Sequence, residues 1–271
     1  MRTVILAGGF GTRLSEKTQD IPKPMVEVGG RPLLWHIMQM YARHGFKEFV
    51  LALGYKQWVV KQYFLQANLM NRDVSVDLST GAVKGHRNEA QDWLVHMFDT
   101  GLETMTGGRI GRLREWLGNE TFMLTYGDGL SDIDIRAVVE THKRQGRLAT
   151  ITAVRPPARF GGIVFNGEQV VDFTEKPQIG EGWINGGFMV LEPGVLDYID
   201  GDESVLEKSV LERLAADGEL AAYQHDGYWQ CCDTLRDLTT LQAIWDRGNP
   251  PWLSAPPAVD TPEVRRLAVG A

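Results

Sequence analysis

The sequence is poor in cysteine, in net positive charge and in long apolar runs, and each shortage excludes a class of protein. Its two cysteines, Cys231 and Cys232, are adjacent, so a disulfide framework and cysteine metal spacing are both excluded. No run of about 18 apolar residues is present, and glycines soon interrupt the N-terminal apolar stretch, which predicts neither a membrane span nor a signal peptide. A net charge of −7 argues against nucleic acid or an acidic membrane as the main partner. We therefore expect a cytoplasmic protein.

Two common phosphate-binding motifs are also missing. A P-loop needs a Lys-Ser or Lys-Thr pair at a fixed distance after its glycines, and no such pair occurs at that spacing. The dinucleotide fingerprint G-x-G-x-x-G would start at Gly9, but its third glycine position is Leu14. This departure counts against a dinucleotide-dependent oxidoreductase, which is one of two rival interpretations.

The most informative segment that is present is a glycine-rich loop after the first strand. The apolar run 3–7 is followed by three glycines within positions 8–11, then by Arg13, and ten residues later by Lys23 between two prolines. Glycines let backbone N–H groups approach an anion closely, and Arg and Lys supply cationic donors for phosphate oxygens. The segment predicts a triphosphate site. The alternative is a glycine-rich turn that joins a strand to a helix.

Strand-like and helix-like segments alternate along the chain, which predicts an α/β fold with a largely parallel, doubly wound sheet. Predicted strands cover 3–7, 48–53, 74–78, 93–98, 121–126, 148–154, 162–165, 170–174, 184–190 and 220–225. Predicted helices cover 32–44, 57–65, 109–117, 135–145, 204–216 and 235–246. No linker rich in Gly, Ser or Pro separates the two halves, so we expect the second half to extend the same core. Residues 249–271 are rich in proline and predict a tail.

Two aspartates are candidate metal ligands. Asp128 follows an apolar run in TYGDG, at the expected carboxyl end of a strand, where doubly wound sheets bind ligands. Asp233 lies about 105 residues later in YWQCCDT. Mg²⁺ takes one or two carboxylates together with substrate phosphates, so the pair suits a triphosphate site if the fold joins them. The alternatives are an Asp-Gly turn at Asp128 and an N-cap for a helix near Leu235 at Asp233.

Several motifs together resemble a known family, the sugar-1-phosphate nucleotidyltransferases. They are LAGGFGTRL with a downstream KP, KPMVEVGGRPLLWHIM, DTGLETMTGGR, TYGDGLSDIDI, RPPARFGGIV, EKP, GWINGG and GYWQCCDTLRD. The resemblance covers about residues 1–252, and TMTGGR, WINGG and WQ-x-x-DT favour its glucose-1-phosphate cytidylyl branch. It implies a single Rossmann-like domain with a mixed sheet of the glycosyltransferase A-like type, over residues 1–248, followed by the tail.

The resemblance also implies an activity and its residues. The activity is Mg²⁺-dependent transfer from CTP to glucose 1-phosphate with release of pyrophosphate, in a homo-oligomer such as a hexamer. Implied catalytic residues are Arg13, Lys23 and Asp128, and implied metal ligands are Asp128 and Asp233. Implied nucleotide contacts are Leu6, Ala7, Gly8, Gly9, Phe10, Gly11, Thr12, Arg13, Lys23, Thr104, Arg109 and Gly127, and implied sugar-phosphate contacts are Glu175, Lys176 and Asn185.

The chain departs from the family pattern at two places. His96 stands where the pattern has Thr, and Cys231-Cys232 replaces a pair that contains proline. These departures leave open another nucleotide, dTTP or UTP, or another phosphorylated substrate. The second rival interpretation is a catalytically silent nucleotide-sugar sensor on the same fold, against which both aspartates and Lys23 argue.

Overall fold

A computed structural model of the chain describes residues 1–70, 73–86, 91–156, 162–166, 169–174 and 182–254. Its strands are β1 Thr3–Ala7, β2 Glu27–Val28, β3 Arg31–Pro32, β4 Glu48–Leu53, β5 Asp73–Asp77, β6 Ala82–His86, β7 Leu94–Asp99, β8 Phe122–Tyr126, β9 Gly129–Ser131, β10 Ala149–Val154, β11 Gly162–Asn166, β12 Gln169–Thr174, β13 Ile184–Asn185, β14 Met189–Leu191, β15 Leu220–His225 and β16 Trp229–Cys231. Its α-helices are α1 Ser15–Thr18, α2 Leu33–Arg43, α3 Gln57–Met70, α4 Thr106–Gly111, α5 Arg114–Leu117, α6 Ile135–Gln145, α7 Glu212–Ala216 and α8 Leu235–Asp246. A π-helix spans Leu206–Leu211, and short 3₁₀ turns include Lys23–Met25 and Pro251–Leu253.

A mixed sheet of eight strands forms the centre of the molecule. Seven of them follow the order β13-β10-β14-β8-β1-β4-β7, and the eighth, β15, also pairs with β10. The pairs β1–β4, β1–β8, β4–β7 and β10–β15 are parallel, while β14 runs antiparallel to β8 and to β10. Strands from both halves of the chain therefore belong to one sheet, and the predicted doubly wound, mixed α/β fold is confirmed.

Each face of the sheet is covered by helices. Along β1, Ile5 and Ala7 pack with the α2, α6 and α8 side, whereas Val4 and Leu6 pack with α4, the π-helix and α7. A strand buried on both faces needs apolar residues at every position, which explains the unbroken run in β1 and β4. No helix among the described residues has the length and apolarity needed to cross a membrane.

Most predicted elements are confirmed within a few residues, but three differ. The predicted strand 184–190 is two short strands, because Gly187 and Phe188 have φ of +83° and +45° and break the extended conformation. The predicted helix 109–117 is divided into α4 and α5. The predicted helix 204–216 begins as a π-helix before it becomes α7.

Five strands were not predicted, and two of them, β2 and β3, form a short ribbon before α2. Strand β6 forms an exposed hairpin with β5, so the predicted strand at 74–78 lies outside the central sheet. Strands β9 and β16 pair with each other in a second small ribbon. The predicted tail begins at 249, yet Trp252 is buried in the core.

A buried histidine attaches that C-terminal segment to α2. His36 is fully buried, and its Nε2 lies 2.9 Å from the Val28 carbonyl while its Nδ1 lies 3.2 Å from Trp252 Nε1. A carbonyl only accepts and an indole N–H only donates, so the neutral ring with hydrogen on Nε2 satisfies both contacts. Burial lowers the pKa of His36 to about 4, and the hydrogen bond to Val28 opposes this shift only in part.

We expect this histidine to make stability depend on pH. Because the folded-state pKa of His36 is about 4 and the unfolded value about 6.5, its contribution is complete above pH 6.5 and is lost as the pH falls toward 4. At roughly 1.4 kcal/mol per pKa unit, the free energy of unfolding should fall by roughly 3 kcal/mol over this range through this residue.

Denaturant unfolding at pH 7, 5.5 and 4.5 checks this expectation, with His36→Gln as the non-titrating comparison. The imidazole nitrogen shifts in NMR should also report the Nε2–H tautomer down to about pH 5. A ring that becomes protonated near pH 6.5 in the folded protein would contradict it.

Candidate active site

The ribbon formed by β9 and β16 brings the two candidate aspartates together. Gly129 pairs with Cys231, and the Cys232 N–H donates to the Asp128 carbonyl at 2.9 Å. Asp128 therefore precedes one ribbon strand and Asp233 follows the other. Both lie beyond the carboxyl end of β8, beside β1, where a doubly wound sheet binds its ligands.

Lys23 lies between these aspartates. Its Nζ is 2.5 Å from Asp128 Oδ2 and 2.6 Å from Asp233 Oδ1, and its side chain is 13% exposed. Burial by itself lowers the pKa of Lys23, but the two carboxylates outweigh burial and the net pKa is raised. The lysine is therefore a cation, and the three side chains together carry one net negative charge.

Local packing fixes the position of Lys23. It begins a 3₁₀ turn between Pro22 and Pro24, and Pro24 packs on Gly127. A Cβ at Gly127 would lie 2.8 Å from Pro24 Cγ and 2.9 Å from the Leu6 carbonyl, so only glycine permits this contact. Gly127 thus acts by close packing beneath the aspartates.

The N-cap alternative for Asp233 is wrong. Thr234 caps α8 by accepting from the Asp237 N–H, and Asp237 returns the contact to the Thr234 N–H in a capping box. The Asp233 backbone N–H also donates to Asp237. The Asp233 carboxylate therefore contacts Lys23 and does not cap the helix.

The glycine loop has the features of an anion site. Among the described hydrogen bonds, none uses the backbone N–H of Gly9, Phe10 or Gly11 as its donor, while the carbonyls of Gly8 and Gly11 accept from Tyr55 and Leu14. Gly9 has open space where a Cβ would be. Donors directed away from protein acceptors can bind phosphate oxygens. The side chain of Arg13 lies outside the described part of the structure.

Residues after β4 hold this loop from one side. The Tyr55 N–H donates to the Gly8 carbonyl at 3.0 Å, and the Tyr55 hydroxyl donates to the Thr18 carbonyl at 3.2 Å. The Lys56 ammonium donates to the Gln19 carbonyl, and Lys56 has a left-handed φ of +48°. A non-glycine residue in this region is strained, and such strain is concentrated at functional sites.

Arg109 joins three strand ends beneath the loop. Its guanidinium donates to the carbonyls of Gly8, Leu53, Gly101 and Leu102 and to the Thr100 hydroxyl at 2.6–3.2 Å, and the residue is 4% exposed. Burial lowers the pKa of Arg109, with a further lowering by Arg112, but a guanidinium stays charged. The structure thus contains a buried positive charge balanced mainly by carbonyl dipoles, close to the proposed phosphates.

The other predicted nucleotide contacts are distributed around this cation. Leu6 and Ala7 are buried in β1, whereas Gly9, Phe10 and Thr12 are exposed. The Phe10 ring contacts the Tyr55 ring at 5.3 Å between centroids. Thr104 is 7% exposed and packs on Gly101, where a Cβ would lie 2.5 Å from its hydroxyl.

The predicted sugar-phosphate contacts are described only in part. Asn185 accepts from the Gly187 N–H at 3.0 Å and approaches the Tyr126 hydroxyl at 3.4 Å. Tyr126 in turn donates to Glu207, which also accepts from Thr106. Glu175 and Lys176 lie outside the described residues.

Sequence reasoning missed Tyr55, Tyr126 and Glu207. The position of Tyr55 directly after the buried strand β4 was an available signal, as was that of Tyr126 before Gly127. Glu207 gave no signal, because a π-helix has no recognisable sequence period and this one approaches the site from more than 80 residues away.

The cysteine pair contributes no nucleophile. Burial raises the pKa of Cys231 to about 12, and the neighbouring carboxylate of Asp233 adds to the shift. Burial likewise raises the pKa of Cys232 to about 12. The Cys231 thiol donates weakly to Asp233 at 3.7 Å. Neutral thiols of this kind support a ligand side chain but do not attack phosphorus.

The carboxylate pair fits a divalent cation only if further oxygen ligands, such as substrate phosphates, complete the coordination shell. Among the described residues, no group of three or more His, Cys, Asp or Glu side chains converges as a metal site. Asp128 and Asp233 already share one cation, the Lys23 ammonium, which shows that their oxygens converge on a single positive charge. Mg²⁺ usually takes one or two carboxylates and completes its shell with phosphates and water.

Comparison with known proteins agrees with this geometry. Glucose-1-phosphate cytidylyltransferase of Salmonella typhimurium is 48% identical over 253 residues, covering 93% of this chain and 98% of that protein. A Bacillus subtilis protein named "Probable glucose-1-phosphate cytidylyltransferase" is 42% identical, covering 93% and 99%. The crystal structure of HddC from Yersinia pseudotuberculosis has a TM-score of 0.66 at 22% identity, covering 90% and 99%, and supports the fold. The family model described as Nucleotidyl transferase matches residues 2–248, and this chain belongs to that family.

Proposed function

We propose that this protein transfers the cytidylyl group of CTP to glucose 1-phosphate, with CDP-glucose and pyrophosphate as products. The observation that carries the proposal is the convergence of Lys23, Asp128 and Asp233 beside a glycine loop whose N–H groups at 9–11 donate in none of the described hydrogen bonds. Relatives that share 48% and 42% of their residues with the chain bear the cytidylyltransferase name, which supports the choice of nucleotide and sugar. Pyrophosphate release from CTP, Mg²⁺ and glucose 1-phosphate is the direct test.

The proposed reaction needs no activated protein nucleophile. An oxygen of the sugar phosphate is already anionic at neutral pH and forms a bond to the α-phosphorus of CTP in line. The bond from that phosphorus to the bridging oxygen breaks, and pyrophosphate leaves with the electron pair. Catalysis then consists of positioning and charge stabilisation.

We assign the charge stabilisation to three groups of residues. The loop 6–13, including Arg13, holds the triphosphate, and Lys23 contacts the α-phosphate and the incoming phosphate. Asp128 and Asp233 hold Mg²⁺, which when bound neutralises phosphate charge. The buried cation of Arg109 adds positive potential without needing direct contact with the nucleotide.

Base and sugar selection are assigned to residues around this centre. Arg109 donates to the carbonyls of Gly8 and Gly101, and Thr104 packs on Gly101; we propose that Gly8 and Thr104 contact the nucleotide while Arg109 positions them. Asn185, with Glu175 and Lys176, is proposed to bind the sugar phosphate. The domain boundary at 248, operation in the cytoplasm and assembly into homo-oligomers stay predictions.

Removing either metal ligand should abolish turnover and leave the fold intact. Asp128→Asn and Asp233→Asn keep the side-chain shape but remove one anionic ligand, so turnover should fall by at least about 100-fold, as for other preorganised charge contacts. The measurement is initial pyrophosphate release at saturating Mg²⁺. Asp132→Asn is the matched control, because Asp132 lies beyond β9 and pairs with His225. Near wild-type turnover in either variant would refute that residue's role.

Nucleotide choice should favour cytosine. Cytosine presents an amino donor at C4 and an acceptor at N3, and buried polar groups left unpaired by uracil or thymine make those bases costly. CTP should exceed UTP and dTTP in kcat/KM by at least about tenfold, or roughly 1.4 kcal/mol. Competition of the three triphosphates in one reaction measures this ratio.

Arg109→Lys should reduce that preference, because an ammonium has three donors for the five acceptors that the guanidinium joins. Arg112→Lys is the control, since Arg112 is exposed and pairs with Asp202. Equal use of UTP or dTTP by the wild-type protein would refute the cytidylyl proposal and leave the family assignment standing.

A further inference from the structure

The Lys23 ammonium occupies the position that a divalent cation would need. Both carboxylates direct one oxygen to it, at 2.5 and 2.6 Å, and the group is largely buried. A cation that takes these two oxygens, Asp128 Oδ2 and Asp233 Oδ1, must displace the ammonium, since two positive charges repel one another at such short range. Lys23 and the metal are thus alternative counter-ions for the same oxygens.

Displacement is possible because only the side chain has to move. The backbone of Lys23 is held by its flanking prolines and by the contact of Pro24 with Gly127. Lysine carries a compact charge on a flexible four-carbon stem, unlike the rigid fork of arginine. The ammonium can therefore leave the carboxylates while the turn stays in place.

A displaced ammonium needs a new anionic partner, because an unpaired buried charge is costly. The neighbouring glycine loop offers a position for a phosphate close to Lys23, because a Cβ at Gly11 would lie 3.0 Å from Lys23 Cβ and the loop N–H groups at 9–11 donate in none of the described hydrogen bonds. A bound triphosphate would supply that anion at the same time as it completes the coordination of the metal.

We propose that Lys23 is the internal counter-ion of the metal-ligand carboxylates and releases them to a divalent cation only when a nucleotide triphosphate takes up its ammonium. The proposal rests on the proposed function of this site. Metal and triphosphate then bind with positive coupling, and each lowers the cost of binding the other. Without nucleotide, the site discriminates against free divalent cations.

The test measures Mn²⁺ binding without nucleotide, by electron paramagnetic resonance of the free ion. Lys23→Met removes the competing charge at similar length, so Mn²⁺ should bind at least about fivefold more tightly than to the wild-type protein, within the usual range of coupling between sites. Lys17→Met is the matched control, because it removes the same charge from an exposed position in the same segment. It should leave the affinity within about twofold, as expected for a solvent-screened charge.

A second variant locates the effect. The double variant Lys23→Met with Asp128→Asn should lose the added affinity, since one of the two released ligands is gone. Circular dichroism and thermal unfolding establish that each variant is folded before it is titrated. Unchanged or weaker Mn²⁺ binding in a folded Lys23→Met protein would overturn the proposal. An equal gain in Lys17→Met would overturn it too, because the effect would then be general charge.

The outcome can be separated from that of the proposed function. Absence of pyrophosphate release by the wild-type protein would refute the cytidylyl transfer. It would not affect the claim that Lys23 and Mn²⁺ compete for the two carboxylates. Active wild-type protein with no gain in Lys23→Met would refute the counter-ion role alone.

Discussion

The buried guanidinium of Arg109 is the interaction on which the site geometry depends. It collects acceptors from the ends of β1, β4 and β7, including the carbonyls of Gly8 and Leu53, which also accept from the backbone N–H groups of Tyr55 and Thr100. The close approach also explains two glycines. A Cβ at Gly8 or Gly54 would lie 2.3 or 2.6 Å from the guanidinium. One cation therefore determines the residue type on two neighbouring loops and leaves positive potential beside the phosphate loop.

The site combines this fixed cation with a movable one. Arg109 has its hydrogen bonds divided among several strand ends and cannot leave without breaking all of them. In the described part of the structure, the Lys23 ammonium contacts two partners, both carboxylates, and it stands on a flexible stem. Arg109 thus supplies a fixed positive charge under the loop, and Lys23 supplies a movable one between the aspartates. Both charges can stabilise one anionic substrate.

The sheet and its helices were largely predictable because their sequence patterns are local. The unbroken apolar runs of β1 and β4 and the apolar face of α2 are visible within windows of a few residues. Strands β9 and β16 were not, since strands of only three residues, GLS and WQC, have no recognisable period and pair only through long-range contacts. The break at Gly187 and Phe188 was missed for a related reason, because a left-handed φ at phenylalanine has no sequence signal.

The sequence was sufficient to predict which charged residues belong to the site, but not which contacts they make. Lys23, Asp128 and Asp233 were identified as types suited to a metal and phosphate centre, but their mutual contact follows from the β9–β16 ribbon and from the packing of Pro24 on Gly127. Arg109 was expected among the nucleotide contacts, and its bonds to strand-end carbonyls could not be read from TMTGGR. Those acceptors are backbone groups, which every residue carries and no sequence pattern marks.

The small size of the β9–β16 ribbon has a mechanical consequence. The two aspartates are attached to a ribbon of three residue pairs that is not hydrogen-bonded to the central sheet, yet Leu130 of β9 and the adjacent Cys232 are fully buried in the core. Core packing around Leu130 and Cys232 therefore holds the ribbon in place and sets the distance between the two carboxylates, because a close-packed interior transmits strain. The fold thereby couples the stability of its scaffold to the geometry of its chemistry, so that a substitution in this part of the core also acts on the site.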